Sequence, residues 1–379
     1  MLLKHFGSCR YVWNYFLDLR NRKYVETGKG MSYKDMSFEL KLLKRTEDHE
    51  WLKEVNSQSL QQSLMHLDTA FERFFKHLSR YPNFMKKSNR QSFNVPQHFS
   101  VIGNKLYIPK FGDSIRIFRH RDFNGEIRNI TISQIPSGKY FVSILVHEND
   151  TENERKKITK ETAIGIDVGL KNFLTTSDTL KIETPAYLRK SEKRLRKAQK
   201  RLSQKKKGSS NRNKQRIRVA RIHEHTVNQR DDFLNKLSDV LTRNYDTIAV
   251  ESLNINGMMK NHHVARSIGD AGWSSFFAML KTKALQRGKS IVEIGRFDPS
   301  SKLCSGCGNI KHDLKLSDRI YHCEVCKLTI DRDVNAAINI RRFALIRSGV
   351  PTDGGEFTPV DRSANTISLL KREGVWQVH

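Results

Sequence analysis

The sequence predicts an α/β protein of several domains, in which a helical region and a small β-domain precede an α/β module that carries a four-cysteine zinc ribbon. Helical periodicity dominates residues 1–90, and short alternating runs fill residues 91–150. Apolar strands that end in acidic residues follow from residue 161, and paired cysteines lie further along the chain. A chain of 379 residues is long enough for about two or three such domains.

The composition of the chain is strongly basic. Lys and Arg total 68 against 40 Asp and Glu, a formal net charge of +28, so a polyanionic partner is expected and nucleic acid is the first candidate. The sequence has no apolar run of about 18 residues that could span a bilayer, and its start, MLLKHFGSCRYVWN, does not resemble a secretory signal. We therefore expect the protein to stay in the cytoplasm.

Residues 1–90 are interpreted as a helical region. Its apolar residues recur at spacings of three and four, the period of a helix with one buried face. A turn signal at residues 81–83 follows, and then a basic segment that runs to Gln91. The predicted stripe consists of Leu60, Leu64, Leu67, Phe71, Phe74 and Phe75.

Residues 91–150 are predicted to form a small β-barrel. Runs in which apolar and polar residues alternate, such as 115–119 and 140–146, are separated by Gly and Pro turns. The polar stretch from residue 148 to residue 160 is interpreted as a linker to the next domain.

An α/β module is predicted for residues 161–300 and for residues 329–346. Its strands are expected at residues 163–168, 173–176, 247–251 and 290–294, and the first and third of these runs are apolar enough to be buried on both faces. A helix is expected over residues 273–285 and another over residues 334–345. The remaining residues, 347–379, have little periodicity and are interpreted as a disordered tail.

A basic helical segment extends from residue 187 to residue 222. Between Arg189 and Arg221 it contains sixteen Lys or Arg and one acid, Glu192, and its helical pattern is interrupted at Gly208. A solvated helical face is the alternative to a binding surface, but one acid cannot balance the repulsion through intrahelical ion pairs. A phosphate backbone is therefore favoured as the counter-charge. The residues expected to contact it are Arg194, Lys197, Arg201, Lys205, Lys206 and Lys207.

The cysteines of the chain predict a metal site. Four of the five form two Cys-x-x-Cys pairs that fifteen residues separate, whereas Cys9 stands alone. This spacing is typical of a structural zinc site, in which four thiolates leave no position for a catalytic water. Redox-active pairs are the alternative, and His312 and His322 lie near enough to compete as ligands. The predicted zinc ligands, in a ribbon at residues 301–328, are Cys304, Cys307, Cys323 and Cys326.

Three acids are predicted to form a catalytic site for two Mg²⁺ ions. Asp167 and Glu251 each end an apolar strand, and Asp333 lies where a helix begins. If the two strands are parallel neighbours, their carboxyl ends bring both acids to the same edge of the sheet. Hydrolysis of a phosphodiester by two Mg²⁺ ions needs carboxylate ligands of this kind. Helix capping is the alternative role for Asp333, and Asp298 and Asp331 are candidate accessory ligands.

Several motifs together resemble the TnpB family of transposon-encoded, RNA-guided nucleases, which are related to the type V CRISPR effectors. The resemblance extends over nearly the whole chain, and the combination of motifs is far more specific than any one of them. The motifs are FGSCRYVWN at 6–14, YPNF at 81–84, GIDVG at 165–169, VESLN at 250–254, SSKLCSGCG at 300–308 and DRDVNAAINI at 331–340.

The resemblance implies an RNase H-like (RuvC) nuclease domain with the zinc ribbon inserted before its last helix, a helical recognition region and a wedge-like β-barrel. It also implies magnesium-dependent cleavage of double-stranded target DNA next to a short flanking motif, directed by a guide RNA from the transposon end. Asp167, Glu251 and Asp333 match the catalytic acids of the family. Further nucleic-acid contacts are expected at Phe84, Lys86, Lys87, Arg90 and Gln91.

Other functions remain open at this point. A nuclease-inactive, RNA-guided DNA-binding regulator would keep the basic surface without needing the three acids. A truncated transposon remnant is a further alternative, because family members usually have one more strand before the helix that here begins near Met1. A transposase of the same fold would carry its last acid as a Glu within a long helix, and a zinc-ribbon transcription factor would not explain two strands that end in acids.

Overall fold

The structure is a computed structural model, and it describes residues 1–87, 90–120, 122–148, 156–315, 317–351 and the backbone of residues 375–376. The chain divides into two compact units, formed by residues 1–150 with 369–379 and by residues 151–368. Most of the predicted tail at 347–379 and of the predicted linker at 148–160 lies outside the described residues. None of the described helices combines the length and the apolar character that crossing a membrane requires.

The helices of the first unit share an apolar core. They are α1 (Leu2–Thr27), α2 (Tyr33–Leu43), a 3₁₀ helix (Glu47–Glu54) and α3 (Ser57–Phe75). The predicted stripe of α3 is buried from Leu60 to Phe71 and packs against α1. Phe75 is 65% exposed, so the prediction that it belongs to the core is wrong. It is the last residue of the helix, where its ring lies against Phe74 beyond the end of the buried stripe.

The β-domain of the first unit consists of two antiparallel sheets. Its strands are β1 (Gln91–Val95), β2 (Ser100–Ile102), β3 (Lys105–Tyr107), β4 (Ile115–Arg116), β5 (Glu126–Gln134) and β6 (Tyr140–His147). One sheet has the order β1–β5–β6 followed by the short strand Val375–Trp376, and the other has the order β2–β3–β4. The strand expected at 115–119 is only two residues long, because its partner β3 is itself short.

The second unit contains the α/β module and the cysteine ribbon. Its strands are β7 (Ala163–Val168), β8 (Asn172–Thr176), β9 (Lys181–Glu183), β10 (Thr247–Glu251), β11 (Ser290–Ile294), β12 (Ile320–His322) and β13 (Thr329–Asp331). Its helices are α4 (Tyr187–Ser203), α5 (Ser210–Asn244), α6 (Ile255–Met258), α7 (Ala265–Ala271), α8 (Trp273–Gln286) and α9 (Arg332–Arg347). The predicted interruption at Gly208 separates α4 from α5.

Five strands of the second unit form a mixed sheet in the order β11–β10–β7–β8–β9. Strands β7, β10 and β11 run parallel, and β8 and β9 are each antiparallel to the preceding strand. Side chains alternate along a strand, so Ile164, Ile166, Ile248 and Val250 pack on α5 and α8. Ala249 faces the other way and packs on α9. Burial on both faces explains why these strands are continuous apolar runs.

Helix α9 lies directly on β7, and Gly165 makes this close approach possible. A Cβ atom at position 165 would lie 2.0 Å from the carbonyl oxygen of Ala337 and 2.7 Å from the backbone nitrogen of Arg341. No side chain fits between the strand and the helix at this point. The position of α9 on the sheet is therefore set by contact between two backbones.

We predict that Gly165→Ala destabilises the second unit. The added methyl group would overlap backbone atoms of α9, so the free energy of unfolding should fall by about 3 kcal/mol or more. Gly269→Ala is the matched control, because a Cβ atom there meets only Cε of Met259 at 3.6 Å. Urea unfolding followed by circular dichroism measures the difference, and equal stabilities would contradict the direct packing of α9 on β7.

Candidate functional site

Asp167 and Glu251 lie side by side on neighbouring strands. Strands β7 and β10 run parallel, and Ile166 lies opposite Val250. The next residues along the two strands, Asp167 and Glu251, therefore lie opposite each other as well. Both acids lie on the α9 side of the sheet, because side chains alternate and Gly165, two residues before Asp167, contacts that helix. The two carboxyl groups thus reach the same edge of the sheet from parallel strands.

Asp333 comes to this edge from the start of α9. The helix meets β7 where Gly165 contacts Ala337, and Asp333 lies four residues before Ala337. Asp333 is about 6 Å along the helix from Ala337, and Asp167 is about 6.6 Å along the strand from Gly165. Because these two lengths are similar and Gly165 contacts Ala337, Asp333 lies near Asp167. The charges of Glu251 and Asp333 both act on Asp167, so the three acids that the sequence singles out lie near one another.

The pKa of Asp167 reflects this concentration of negative charge. Burial, followed by the charges of Glu251 and Asp333, raises the pKa of Asp167 well above its ordinary value, and Arg332 opposes the shift. Carboxylates that repel one another in a half-buried place favour a bound cation, and oxygen ligands of this kind suit hard divalent ions.

The three carboxyl groups are spread more widely than the ligands of a single ion. Across the described ranges, the cysteine cluster is the one group whose ligand atoms all lie within 4.8 Å of one another, and the three acids do not meet that distance.

Asp331 caps helix α9, so the capping role that was left open for Asp333 is wrong. Oδ1 of Asp331 accepts hydrogen bonds from the backbone N–H groups of Asp333 at 3.0 Å and Val334 at 3.2 Å. Its other oxygen accepts a hydrogen bond of 2.6 Å from Lys181. Burial raises the pKa of Asp331, but the bonds from Lys181 and the backbone lower it more, and the net shift is downward.

Asp298 also has structural partners. Oδ2 of Asp298 accepts a hydrogen bond of 2.8 Å from the backbone N–H of Gly295 and lies 3.0 Å from the guanidinium of Arg347. The side chain is 1% exposed, so this ion pair is shielded from water. Asp298 thus ties the loop after β11 to the end of α9.

Ser300 contacts Glu251, although the sequence analysis did not single it out. Its Oγ donates a hydrogen bond of 2.5 Å to Oε1 of Glu251. Its backbone carbonyl accepts a hydrogen bond of 2.8 Å from Nδ2 of Asn339 in α9. The only signal in the sequence was its place at the start of the family motif at 300–308, because no local pattern links it to a glutamate 49 residues away.

The four predicted zinc ligands form one compact cluster. Sγ of Cys304 lies 3.6 Å from Sγ of Cys326, and Sγ of Cys307 lies 3.6 Å from Sγ of Cys323. A regular tetrahedron of sulfur atoms around zinc, with Zn–S distances of about 2.3 Å, has edges of about 3.8 Å. The cluster therefore has the size of a four-thiolate zinc site.

Neither of the nearby histidines belongs to this cluster. Nδ1 of His322 instead lies 2.9 Å from the hydroxyl of Thr329. The backbone N–H of Cys326 lowers the pKa of Cys323 to about 6, whereas burial raises the pKa of Cys304 to about 12. One thiol is thus ready to ionise, and a bound metal would supply the charge that the other thiolate needs.

The first cysteine pair is fastened to α9 by two buried asparagines. Oδ1 of Asn335 accepts a hydrogen bond of 2.9 Å from the N–H of Ser305, and its Nδ2 donates one of 2.7 Å to the carbonyl of Leu303. Asn339 donates a second hydrogen bond, also of 2.7 Å, to that carbonyl. The helix that begins beside Asp333 therefore also holds the cysteine ribbon.

A basic groove lies between α4 and α5. Its cavity of about 440 Å³ has no acidic residue in its lining. The three basic lining residues from α4 are among the predicted contacts. The two from α5, Arg218 and Arg221, were not predicted as contacts, although they lie in the same basic segment of the sequence. Lys205, Lys206 and Lys207 are exposed in the turn between the helices and do not line the cavity. The basic lining residues are Arg194, Lys197, Arg201, Arg218 and Arg221.

The other predicted nucleic-acid segment, residues 84–91, is anchored to α1. Asn14 donates a hydrogen bond of 3.0 Å to the carbonyl of Met85 and accepts one of 2.7 Å from its N–H. Gln91 is half-buried and accepts a hydrogen bond of 2.5 Å from Arg10, so its side chain holds the segment in place. Of the predicted contacts in this segment, Phe84, Lys86, Lys87 and Arg90 are exposed.

Models of three protein families match separate parts of the chain. A helix-turn-helix domain of the IS605 OrfB proteins matches residues 1–29, and the OrfB model described as "Probable transposase" matches residues 143–262. A third, described as "Cas12f1-like, TNB domain", matches residues 273–340. The last two matches include the strands of Asp167 and Glu251, the cysteine ribbon and Asp333.

Curated relatives align with most of the chain. A protein of Streptomyces pristinaespiralis named "Putative RNA-guided DNA endonuclease" is 38% identical over 377 residues, which is 98% of this chain and 92% of the relative. "Putative RNA-guided DNA endonuclease InsQ" of Escherichia coli K12 is 30% identical and aligns with 88% of this chain and 86% of the relative. "TnpB-like protein L79" of Acanthamoeba polyphaga mimivirus, also 30% identical, aligns with 49% of this chain and 38% of its own length.

A solved structure shares the fold. The chain described as "Cryo-EM structure of the Cas12f1-sgRNA-target DNA complex" superposes with a TM-score of 0.57 and covers 89% of this chain and 81% of its own length. The sequence identity is 14%, so the similarity concerns the fold alone.

We predict that the purified protein holds one zinc ion per chain in the cysteine cluster. Cys304→Ser should lose the zinc, because the alcohol is a poor substitute for a thiolate ligand. Cys9→Ser should keep it, because Cys9 lies elsewhere and its Sγ donates to the carbonyl of Ser59. Elemental analysis after dialysis against a chelator measures the zinc content, and a wild-type protein free of zinc would contradict the assignment.

Proposed function

This chain belongs to the TnpB family of the IS605 elements, and from that premise we propose that it is an RNA-guided DNA endonuclease associated with a transposon. A guide RNA from the transposon end would direct it to double-stranded target DNA beside a short flanking motif. Two relatives that align with most of the chain carry this activity in their names. Such a protein would work at the nucleoid.

The observation that carries the proposal is the meeting of Asp167, Glu251 and Asp333 at one edge of the mixed sheet. Burial and then the charges of the two other acids raise the pKa of Asp167, and the effect of these charges supports their closeness. Carboxylates at the ends of parallel strands, with a helix packed on the same face, support an RNase H-like (RuvC) nuclease module. A regulator that only binds DNA would have no need to keep three carboxylates together.

Asp167, Glu251 and Asp333 would together hold two Mg²⁺ ions as carboxylate ligands. When bound, the pair of ions stabilises the charge that develops on the attacking and leaving oxygens of a phosphodiester. The protein contributes the fixed geometry: the level pairing of β7 with β10 places Asp167 beside Glu251, and the contact at Gly165 places α9. Asp331 holds the first turn of α9 and so the backbone of Asp333.

Charge complementarity supports a nucleic-acid partner. A guide paired with its target is held by its backbone in a positive channel, while base pairing supplies the sequence. The basic groove between α4 and α5 offers five cations to such a backbone, and the net charge of +28 attracts it from a distance. Phe84, Lys86, Lys87 and Arg90 are proposed as further contacts. The turn lysines at 205–207 would contact the backbone outside the groove.

The remaining domains have supporting roles in this proposal. Residues 1–90 would form the recognition region, and the two sheets of residues 91–147 would form a wedge-like barrel. The zinc would be structural, because the four cysteines fill all its positions and leave none for water.

We predict that the protein copurifies with an RNA from the transposon end and cuts a plasmid that matches this RNA when Mg²⁺ is present. Asp167→Asn should lower the cleavage rate about a thousandfold or more, because metal ions contribute several kcal/mol to stabilising the transition state. Binding of the plasmid should not change. Glu161→Gln, an exposed acid just before β7, is the control and should cut at the wild-type rate.

Each part of the proposal can fail separately in this experiment. A wild-type complex that binds the matched plasmid without cutting it would indicate the nuclease-inactive regulator. Cleavage by Asp167→Asn at the wild-type rate would remove Asp167 from the site. A protein that purifies without RNA and ignores the matched sequence would contradict guidance by RNA.

We predict that the double variant Arg218→Gln, Arg221→Gln binds its RNA more weakly and with a weaker salt dependence. Each lost phosphate contact should reduce the slope of log affinity against log salt by about 0.7 for a single strand. Lys236→Gln is the control, because Lys236 is also on α5 but pairs with Asp232 at 2.7 Å. Filter binding at several salt concentrations measures the slopes, and equal slopes for all three proteins would exclude the groove as a contact.

A further inference from the structure

The loop between β11 and the cysteine ribbon joins Glu251 to helix α9. Its residue Ser300 is buried, donates from Oγ to Oε1 of Glu251 at 2.5 Å, and accepts at its carbonyl from Asn339 of α9 at 2.8 Å. We propose that Ser300 is a positioning residue for Glu251, which holds one carboxylate oxygen so that the other faces the cation site. The inference rests on the proposed function, because it assumes that Glu251 is a metal ligand.

A glutamate at the end of a strand needs such a partner. The terminal torsion of a glutamate side chain is broad and roughly two-fold, so packing of its methylene groups does not fix the plane of the carboxylate. A donor to one oxygen fixes that plane and leaves the second oxygen for a cation. Hydrogen bonds to metal-ligating carboxylates from residues behind them orient the ligands in this way.

Ser300 can act as a fixed point because the loop is tied to α9 on both sides. Before it, buried Asp298 bonds the N–H of Gly295 and pairs with Arg347 near the end of the helix. After it, the carbonyl of Leu303 accepts hydrogen bonds from two asparagines of the same helix. Since Asp333 is in the first turn of α9, the same helix sets the position of Asp333 and, through Ser300, that of Glu251.

A purely structural role for Ser300 makes a different prediction. If the hydroxyl only satisfies its own hydrogen bond, removing it changes stability and leaves the affinity of the carboxylates for metal unchanged. If it positions Glu251, removing it weakens metal binding even in a variant that is fully folded.

The experiment compares Ser300→Thr with Ser300→Val, two variants of nearly equal volume of which only the first keeps a hydroxyl, together with Ser300→Ala. Ser301→Ala is the control, because this neighbouring hydroxyl makes no hydrogen bond within the described part of the chain. Each RNA-bound protein is titrated with Mn²⁺ while electron paramagnetic resonance measures the free ion. Asp167→Asn gives the Mn²⁺ titration curve that is expected when the cation site is lost. Zinc content and thermal unfolding show whether each variant is folded.

The positioning role predicts that the Mn²⁺ concentration for half-saturation rises about 10- to 100-fold in Ser300→Val and Ser300→Ala. Ser300→Thr and Ser301→Ala should bind Mn²⁺ as the wild type does. In plasmid cleavage, the Mg²⁺ concentration for half-maximal rate should rise in Ser300→Val and Ser300→Ala only. Equal affinity in Ser300→Thr and Ser300→Val, in a wild-type protein that cuts its target, would overturn the inference alone. If Mn²⁺ affinity follows the hydroxyl but the wild type does not cut, the proposed function fails and the positioning of Glu251 stands.

Discussion

Three acidic side chains must be held together against their mutual repulsion, and this constraint explains most of the second unit. The pKa of Asp167 is raised by burial and by Glu251 and Asp333, so in the absence of a cation the three acids destabilise their own arrangement. What opposes the repulsion is the packing of the sheet on both faces and the backbone contact of α9 at Gly165. If the three acids are the proposed catalytic site, an unfavourable arrangement kept by its surroundings would be ready to bind cations without rearrangement.

The cysteine ribbon is hydrogen-bonded to the same helix, α9, that carries Asp333. Asn335 and Asn339 are both fully buried and connect the residues around the first zinc ligand to α9, whose first turn carries Asp333. Asp298 and Ser300 connect the preceding loop to the end of α9 and to Glu251. A zinc ion in the cysteine cluster would therefore stabilise more than a small ribbon, because the ribbon directly follows the loop from which Ser300 reaches Glu251.

The sequence predicts that Asp167 and Glu251 lie at the ends of buried strands, and the structure confirms this placement because the signals are local. Asp167 and Glu251 end runs that are apolar on both faces, and the two Cys-x-x-Cys pairs have a spacing that few other structures require. Ser300, Asn339 and their bonds could not be predicted from such patterns, since their partners lie 49 and 36 or more residues away. The role of Asp331 as the cap of α9 was also open, because an Asp two residues later offers the same chemistry to the helix start.

The most direct test of the three-acid site is the anomalous scattering of Mn²⁺ in crystals of the protein with its RNA and a target that cannot be cleaved. Two manganese ions about 3.5–4 Å apart, between the carboxyl groups of Asp167, Glu251 and Asp333, are the expected result. Manganese bound elsewhere, with no ion in contact with these three side chains, would contradict the site.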